Sequence, residues 1–139
     1  MRLQKNTRFA LYSVLEFAAS PGRQISAAEI AAKYRISPHH LAKVLRDLGR
    51  AGLVEAARGV GGGYRFAGNA KRLTLMDVIA IYEGTRFGAD QDAGSETEVG
   101  MAIGVVLEEI DETAKAAFRS ITIDTMLKLV ARRKRQGAG

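Results

Sequence analysis

The chain of 139 residues contains no cysteine and no tryptophan, and only two prolines and two histidines. Without cysteine it cannot form a disulfide, a thiolate nucleophile, or a cysteine-ligated zinc site or iron–sulfur cluster. Its longest run without a charged residue, Val99–Leu107, is too short to span a bilayer. Cysteine-based chemistry and a membrane span are therefore excluded, and no membrane partner is expected.

The first twenty residues have some features of a secretory signal. Three basic residues precede an apolar stretch that ends at Ala18 and Ala19. Glu16 interrupts that stretch, and its apolar residues recur at helical spacing instead of forming a solid block. We therefore interpret the segment as the first helix of the fold and expect a cytoplasmic protein.

Acidic residues are scarce in the first part of the chain, and basic residues are scarce in the second part. Residues 1–72 carry 13 basic and 4 acidic side chains, whereas residues 73–128 carry 4 basic and 11 acidic ones. Residues 129–139 add 4 basic side chains, which completes the net charge of +6. A basic excess suits an anionic partner, of which nucleic acid is the first candidate. We expect a DNA-binding domain over 1–72 and a dimerisation and regulatory region over 73–139.

Helix start signals divide the basic part into three short helices. The first is predicted over Thr7–Ser20, with the threonine as its N-cap. A capping box of Ser26 and Glu29 opens the second, Ala27–Tyr34. A serine followed by proline begins the third, which occupies Ser37–Gly52. Two short helices joined by a tight turn predict a helix-turn-helix.

A glycine-rich segment follows the third helix. Two strand-like runs, Leu53–Arg58 and Tyr64–Ala67, flank residues 59–63, and glycine provides the positive-φ conformations of a hairpin tip. A Walker loop is excluded because no Gly-Lys-Ser/Thr follows, and a dinucleotide fingerprint because no helix follows. A slim wing flanked by Arg58 and Arg65 suits the DNA minor groove or its phosphates, although a plain hairpin turn is the alternative.

The second half is predicted to be helical apart from one loop. A helix should run from Thr74 to about Gly84, and the polar segment Thr85–Thr97 should form a loop. A long amphipathic helix is predicted over Glu98–Ser120, and Thr122 should cap a last helix that frays into Arg132–Arg135. The fold class is mainly α with a small two-stranded β wing, a winged helix-turn-helix domain plus a long C-terminal dimerisation helix.

The apolar stripe of the long helix predicts a homodimer. A domain this small has little surface to cover such a stripe, and a second copy provides one. The alternative is that the helix folds back onto its own winged domain. The candidate dimerisation residues are Val99, Ile103, Val106, Leu107, Ile110 and Ala114.

The third helix has the pattern of a DNA-recognition helix. Its leucines and Val44 point to the core, so at 100° per residue the opposite face carries basic side chains suited to base edges and phosphates. A solvated helix face is the alternative. With the wing, the candidate DNA-binding residues are Ser37, Pro38, His39, His40, Lys43, Arg46, Arg50, Arg58, Gly61, Gly62, Tyr64 and Arg65.

Four segments closely resemble the Rrf-two (Rrf2) family of bacterial regulators. They are Met1-Arg-Leu-Gln-Lys-Asn-Thr-Arg-Phe-Ala-Leu, Ile36-Ser-Pro-His-His-Leu-Ala-Lys-Val-Leu, Arg58-Gly-Val-Gly-Gly-Gly-Tyr-Arg and Ile121-Thr-Ile-Asp-Thr-Met-Leu. The resemblance implies a homodimeric winged helix-turn-helix protein that binds pseudo-palindromic promoter DNA, usually as a repressor. It also implies that His39, His40 and Lys43 lie in the recognition helix and that residues 98–120 form the dimerisation helix.

The chain departs from the cluster-binding members of that family. Those members carry three cysteines in the loop that corresponds to Thr85–Thr97, with a fourth ligand that is often an acidic residue of the first helix. Here the loop has no cysteine and the first helix offers Arg8. The sequence resembles the cluster-free branch, and we expect no iron–sulfur cluster and no other cofactor.

Two further charged segments have ordinary interpretations beside functional ones. The acidic loop could hold a hard cation, but it fails the EF-hand pattern at Gly94 and Met101, which favours a solvated loop. The adjacent pair His39 and His40 is a poor basis for a transition-metal site. Arg132–Arg135 could form a second DNA or membrane patch, or could complement the helix dipole.

We therefore predict a dimeric, sequence-specific transcriptional repressor bound to double-stranded promoter DNA. The alternative is a non-specific or architectural DNA-binding module that acts mainly through a partner protein. An enzyme is not expected, since no nucleophilic, metal or phosphate-binding arrangement is present. A small-molecule effector or a partner protein could bind between the winged domain and the long helix.

Overall fold

The fold is described by a computed structural model over residues 2–59, 62–84 and 92–138. Within these residues the chain forms six α-helices, one short 3-10 helix and a two-stranded antiparallel sheet. The elements are α1 (Lys5–Ala19), α2 (Ala27–Tyr34), α3 (Pro38–Arg50), β1 (Val54–Ala56), β2 (Tyr64–Phe66), α4 (Leu75–Glu83), the 3-10 helix (Ala93–Glu96), α5 (Glu98–Ser120) and α6 (Ile123–Ala138). The predicted fold class is confirmed. Gly61 and residues 85–91 of the predicted loop lie outside the described residues.

The hydrophobic core lies among the first four helices and the start of α6. Leu41, Leu45 and Leu48 are fully buried along one face of α3, as their helical spacing predicts. They pack in one cluster with Phe17 of α1 and Ile123 of α6. The last helix is therefore part of the core that supports the helix-turn-helix.

Serine and threonine caps begin α2, α3 and α4, as predicted. The Ser26 hydroxyl accepts a hydrogen bond from the backbone of Glu29 at 3.1 Å, although the Glu29 carboxylate accepts from Arg23 instead of completing the box. Ser37 accepts from the backbone of residue 40 and precedes Pro38, the first residue of α3. At α4, Thr74 forms a complete reciprocal box with the residue three positions later. Local signals therefore define these helix starts.

The predicted start of α1 is wrong. The helix begins at Lys5, one residue after Gln4, and Thr7 is a buried residue inside it rather than its N-cap. The Thr7 hydroxyl donates to Oε1 of Glu83 at 2.8 Å, and the backbone N–H of Gln4 donates to the same oxygen at 2.7 Å. A carboxylate from α4 thus occupies the positive end of α1, where helix dipole and free N–H groups favour an anion. Because Glu83 lies 79 positions from Gln4, the residues near the start of α1 contain no sequence pattern that marks this cap.

The wing is attached to the segment before α2. Strand β1 pairs with β2, and Tyr64 exchanges two backbone hydrogen bonds with Ile25, at 2.8 and 2.9 Å. Gly63 has φ +132°, and a Cβ there would lie 2.8 Å from the carbonyl oxygen of Ile25. Only glycine permits this close approach, which explains one of the glycines of the loop.

The long helix matches its predicted bounds, and the last helix is longer than predicted. The C-terminal half of α5 packs against α4, where Ala114 and Phe118 are half-buried. Thr122 accepts from the backbone of Thr125 at 3.1 Å and so caps α6, as predicted. The predicted fraying at Arg132–Arg135 is wrong, because α6 continues to Ala138. Among the described helices, none is both long and apolar enough to cross a membrane.

Candidate nucleic-acid interface

The outward face of α3 carries a row of basic and polar side chains. Because the core residues recur at positions i, i+3, i+4 and i+7, the residues on the opposite side of the helix face solvent. His39, Lys43, Arg46 and Arg50 are all exposed. Ser37 and Pro38 are exposed at the N-terminal end of the same helix. This row, which we call the basic face, has the dimensions and donors that a major groove accepts.

His40 lies beside the basic face but is turned toward α1. Its ring packs edge-on against Phe9, with centroids 5.1 Å apart, and a ring nitrogen hydrogen-bonds to Oδ1 of Asn6. The side chain is half-buried. Its place at the border of the two helix faces left its direction open in the sequence. In the structure it anchors the start of α3 on α1.

Asp47 is the only acidic residue of α3. Its Oδ2 atom accepts a hydrogen bond from the Tyr82 hydroxyl at 2.6 Å, and its Oδ1 atom lies 3.8 Å from Nη1 of Arg50. Burial of the ring, together with this hydrogen bond, raises the pKa of Tyr82 well above its ordinary value. The phenol is therefore a protonated donor at neutral pH. Sequence reasoning missed this contact because the two residues lie 35 positions apart on different helices.

The wing stands beside the C-terminal end of the basic face. An open groove between them is lined by Arg46, Gly49, Arg50, Val54, Glu55, Ala56 and Tyr64. Arg58 and Gly62 are exposed near the tip, and Arg65 is half-buried opposite Glu55 in the strand register. The structure thus brings the predicted helix and wing residues onto adjoining surfaces. Gly61 lies outside the part of the chain that the structure describes.

A polar and aromatic cluster joins α1 to α2. The rings of Tyr12 and Tyr34 stack with centroids 4.7 Å apart, and the Tyr34 hydroxyl donates to Oε1 of Glu16 at 2.5 Å. Burial and this hydrogen bond raise the pKa of Tyr34. Burial alone would raise the pKa of Glu16, but hydrogen bonds from Lys33 and Tyr34 outweigh it and hold that pKa below its ordinary value. The cluster fixes the orientation of the first two helices.

The first half of α5 is apolar on every side. The predicted stripe residues Val99, Ile103, Val106, Leu107 and Ile110 are 71%, 54%, 55%, 59% and 60% exposed. Met101 and Val105, which point to the opposite side, are also exposed. Ala114, the last predicted residue, is half-buried against its own domain. An apolar helix surface of this extent is typical of a segment covered by another protein surface.

Comparisons with known proteins agree on one family. The family model "Rrf2: Iron-dependent Transcriptional regulator" matches residues 3–129. BadM of Rhodopseudomonas palustris, assigned as an HTH-type transcriptional regulator, is 52% identical over 136 residues, which cover 98% of this chain and 87% of BadM.

Two solved structures share the fold. CymR, the global cysteine regulator of B. subtilis, matches with a TM-score of 0.75 at 24% identity, covering 93% of this chain and 98% of that one. IscR of T. potens matches with a TM-score of 0.70 at 24% identity, covering 94% of this chain and 88% of that one. At these identities the two matches show the winged-helix fold alone.

The family description names iron, but the residues of this chain do not fit an iron–sulfur cluster. The sequence contains no cysteine to supply thiolate ligands. Over residues 2–59, 62–84 and 92–138, no three His, Asp or Glu side chains are grouped so that they could hold a metal ion. Asp92, one of the acidic residues of the loop, instead caps the 3-10 helix by accepting from the backbone of Gly94 at 2.9 Å.

Proposed function

Because the chain belongs to the Rrf2 family of transcriptional regulators, we propose that it is a homodimeric, sequence-specific DNA-binding protein that represses transcription in the cytoplasm. The observation that carries this proposal is the exposed basic face of α3 beside the wing. A helix of 13 residues with this face outward fits the major groove, where the N-terminal part of a recognition helix reaches base edges.

Different parts of the basic face have different proposed contacts. His39, Lys43 and Arg46 point outward from the first three turns, and lysine or arginine donors suit the O6 and N7 atoms of guanine. Arg50 lies one turn farther, where a phosphate is the natural partner. Ser37 and Pro38 bring the N-terminus of α3 and its free N–H groups toward the DNA backbone.

The wing supplies the second proposed contact. Arg58 and Arg65, with Tyr64 and the glycines 61 and 62 between them, would lie along the minor groove or its phosphates. The attachment of β2 to Ile25 fixes the wing relative to the helix-turn-helix before DNA arrives. Such preorganisation lowers the entropy lost on binding.

We propose that a second copy of the chain packs on the first half of α5. Apart from Ile110, the exposed apolar side chains of this stripe fall in a nine-residue run without charge, Val99–Leu107. Pairing of two such helices buries this surface and places two α3 helices on one DNA duplex. Repression then follows if the dimer occupies promoter DNA that RNA polymerase needs. A small-molecule or protein effector would act through this same pair of copies.

We propose that regulation uses no iron–sulfur cluster. The support is the donor set: thiolates are absent from the sequence, and carboxylates and two adjacent histidines are poor substitutes. The effector of this protein would then be sensed by a different chemistry from that named for the family.

The acidic charge of residues 73–128 favours a second candidate function, a non-specific DNA-binding module that acts through a partner protein. Selection of bound duplexes from a random-sequence library separates the two. The proposed function predicts enrichment of one sequence and a specificity ratio of at least about 1,000 over random duplex. A ratio near one, with no enriched sequence, would refute sequence-specific regulation and favour the module.

A further inference from the structure

The one carboxylate of α3 lies next to the side chains that would meet phosphates. Asp47 directly follows Arg46 and is one helical turn from Arg50. A carboxylate directed to the outer surface would pair with these cations and repel the DNA backbone. The Asp47 side chain is instead 24% exposed, against 81% for that of Arg50.

Tyr82 holds this carboxylate on the inner side of α3. Its hydroxyl donates to Oδ2 of Asp47 at 2.6 Å. This hydrogen bond is short, and its donor belongs to a half-buried ring in the last turn of α4. Nη1 of Arg50 forms an ion pair with Oδ1 at 3.8 Å, which is too long for a hydrogen bond.

The same turn of α4 is itself fixed to α1. Glu83 accepts from the Gln4 backbone at 2.7 Å and from the Thr7 hydroxyl at 2.8 Å. The Tyr82 backbone carbonyl also accepts from Nε2 of Gln4 at 3.2 Å, so the turn that carries the phenol is anchored to α1 as well as to α3. A fixed donor can define where the Asp47 carboxylate lies.

We propose that Tyr82 is a positioning residue for DNA binding: it keeps the long ion pair between Asp47 and Arg50 from closing to a hydrogen bond, and so leaves that guanidinium available to a phosphate. The inference rests on the proposed function. Without the hydroxyl, the Asp47 carboxylate closes on Arg50 to hydrogen-bond distance, and each copy of the chain then binds one phosphate fewer.

The experiment uses the full chain, the duplex most enriched by selection, and an unrelated duplex of the same length. Tyr82→Phe removes only the hydroxyl. For each phosphate that is no longer bound, affinity at 0.1 M salt should fall about fivefold to tenfold, and the slope of log K against log salt should become shallower by about one. The change should occur on both duplexes, because a phosphate contact carries no sequence information.

The second variant separates positioning from simple loss of structure. In Tyr82→Phe/Asp47→Asn the competing charge is gone, so the affinity and salt slope of the wild type should return. A purely structural defect would persist, because the asparagine supplies no replacement for the phenol. Thermal unfolding of both variants verifies that the fold is intact.

Tyr34→Phe is the matched control. It removes an equivalent phenol–carboxylate hydrogen bond, to Glu16 at 2.5 Å, from a tyrosine that is also half-buried. Its carboxylate belongs to α1, so DNA affinity should not change. The inference is overturned if Tyr82→Phe keeps the wild-type affinity and slope, or if Asp47→Asn fails to restore them. Absence of an enriched sequence would refute the proposed function alone, since the slope on the unrelated duplex still decides the role of Tyr82.

Discussion

At the scale of single residues, the side chains that organise this protein are those whose partners lie far along the chain. Thr7 is a residue type that often caps helices, but its hydroxyl donates a hydrogen bond to Glu83. His40 forms a hydrogen bond with Asn6, which lies 34 positions away in the sequence. Periodicity and capping patterns describe only neighbours in sequence, so they predicted which residues face outward and not which distant groups hold them there. The exposure of the basic face could therefore be predicted, whereas the hydrogen bond from Tyr82 to Asp47 could not.

Truncation of the basic face gives a direct prediction at this scale. Arg46→Ala should weaken binding to the selected duplex by about 1–3 kcal/mol if the guanidinium contacts a base, and should relax the preference at that base pair. Titration of the variant against the full set of single-base changes measures both effects. Arg35→Ala is the control, because Arg35 is an exposed cation in the turn before α3. Equal losses on every sequence would assign Arg46 to a phosphate instead.

Removal of the charge at Glu83 should reduce stability. In Glu83→Gln the amide oxygen can still accept from Gln4 N–H and Thr7 O–H, but the amide N–H₂ group would face the donor Nε2 of Gln4, and the favourable charge at the start of α1 would be lost. We expect a loss of about 1–3 kcal/mol in the free energy of unfolding, measured in urea. Glu55→Gln, on the exposed face of β1, should change it by less than about 0.5 kcal/mol. An equal effect of the two substitutions would contradict the proposed role of Glu83.

At the scale of elements, the sequence predicted what local chemistry determines. Ser26, Ser37 and Thr74 each marked a helix start correctly, and the bounds of α5 agree with its amphipathic pattern. The end of α6 was predicted too early because four consecutive cations suggest a solvated, fraying end. The helix nevertheless continues through them to Ala138. The apolar surface of α5 was predicted on one side, whereas Met101 and Val105 add a second.

A charge on the α5 stripe should separate the copies of the chain. Val106→Asp places a carboxylate where the proposed dimer buries an apolar side chain. The lost burial, about 1.5 kcal/mol per copy, should raise the dimer dissociation constant about 100-fold. Analytical ultracentrifugation measures it. Ala116→Asp, on the exposed side of the C-terminal half, is the control that should stay dimeric. If Val106→Asp has the same dimer dissociation constant as the wild type, the interface lies elsewhere.

At the scale of the whole molecule, the uneven charge has a structural counterpart. The basic residues 1–72 present α3 and the wing, while the acidic residues 73–128 include the long helix with the apolar surface. DNA attracts the first and repels the second, so electrostatics alone favours one orientation of the proposed dimer on a duplex. The orientation of the proposed dimer on DNA could be expected from the sequence. The distance between its two α3 helices could not, because it depends on how the two copies of the chain pack together.

Two-fold symmetry of the proposed dimer predicts the form of its DNA site. Selected duplexes should contain an inverted repeat whose half-sites are about one helical turn apart or a multiple of it. Inserting about 5 base pairs between half-sites would rotate one of them to the far side of the duplex and reduce affinity to the non-specific level. Inserting about 10 base pairs returns both half-sites to the same side of the duplex but leaves them farther apart than the two α3 helices. A single, asymmetric selected site would argue against a symmetric dimer on DNA.

The contact between Glu83 and the start of α1 also bears on how the chain folds. The carboxylate that accepts hydrogen bonds at the start of α1 belongs to residue 83, and Ile123 packs in the same buried cluster as Phe17 of α1. The division at residue 72 is one of charge and proposed role, and we expect the cooperative folding unit to extend at least to the first turn of α6. We expect an isolated fragment of residues 1–72 to be largely unfolded. During synthesis, the basic face and the wing would then be assembled only when almost the entire chain has left the ribosome.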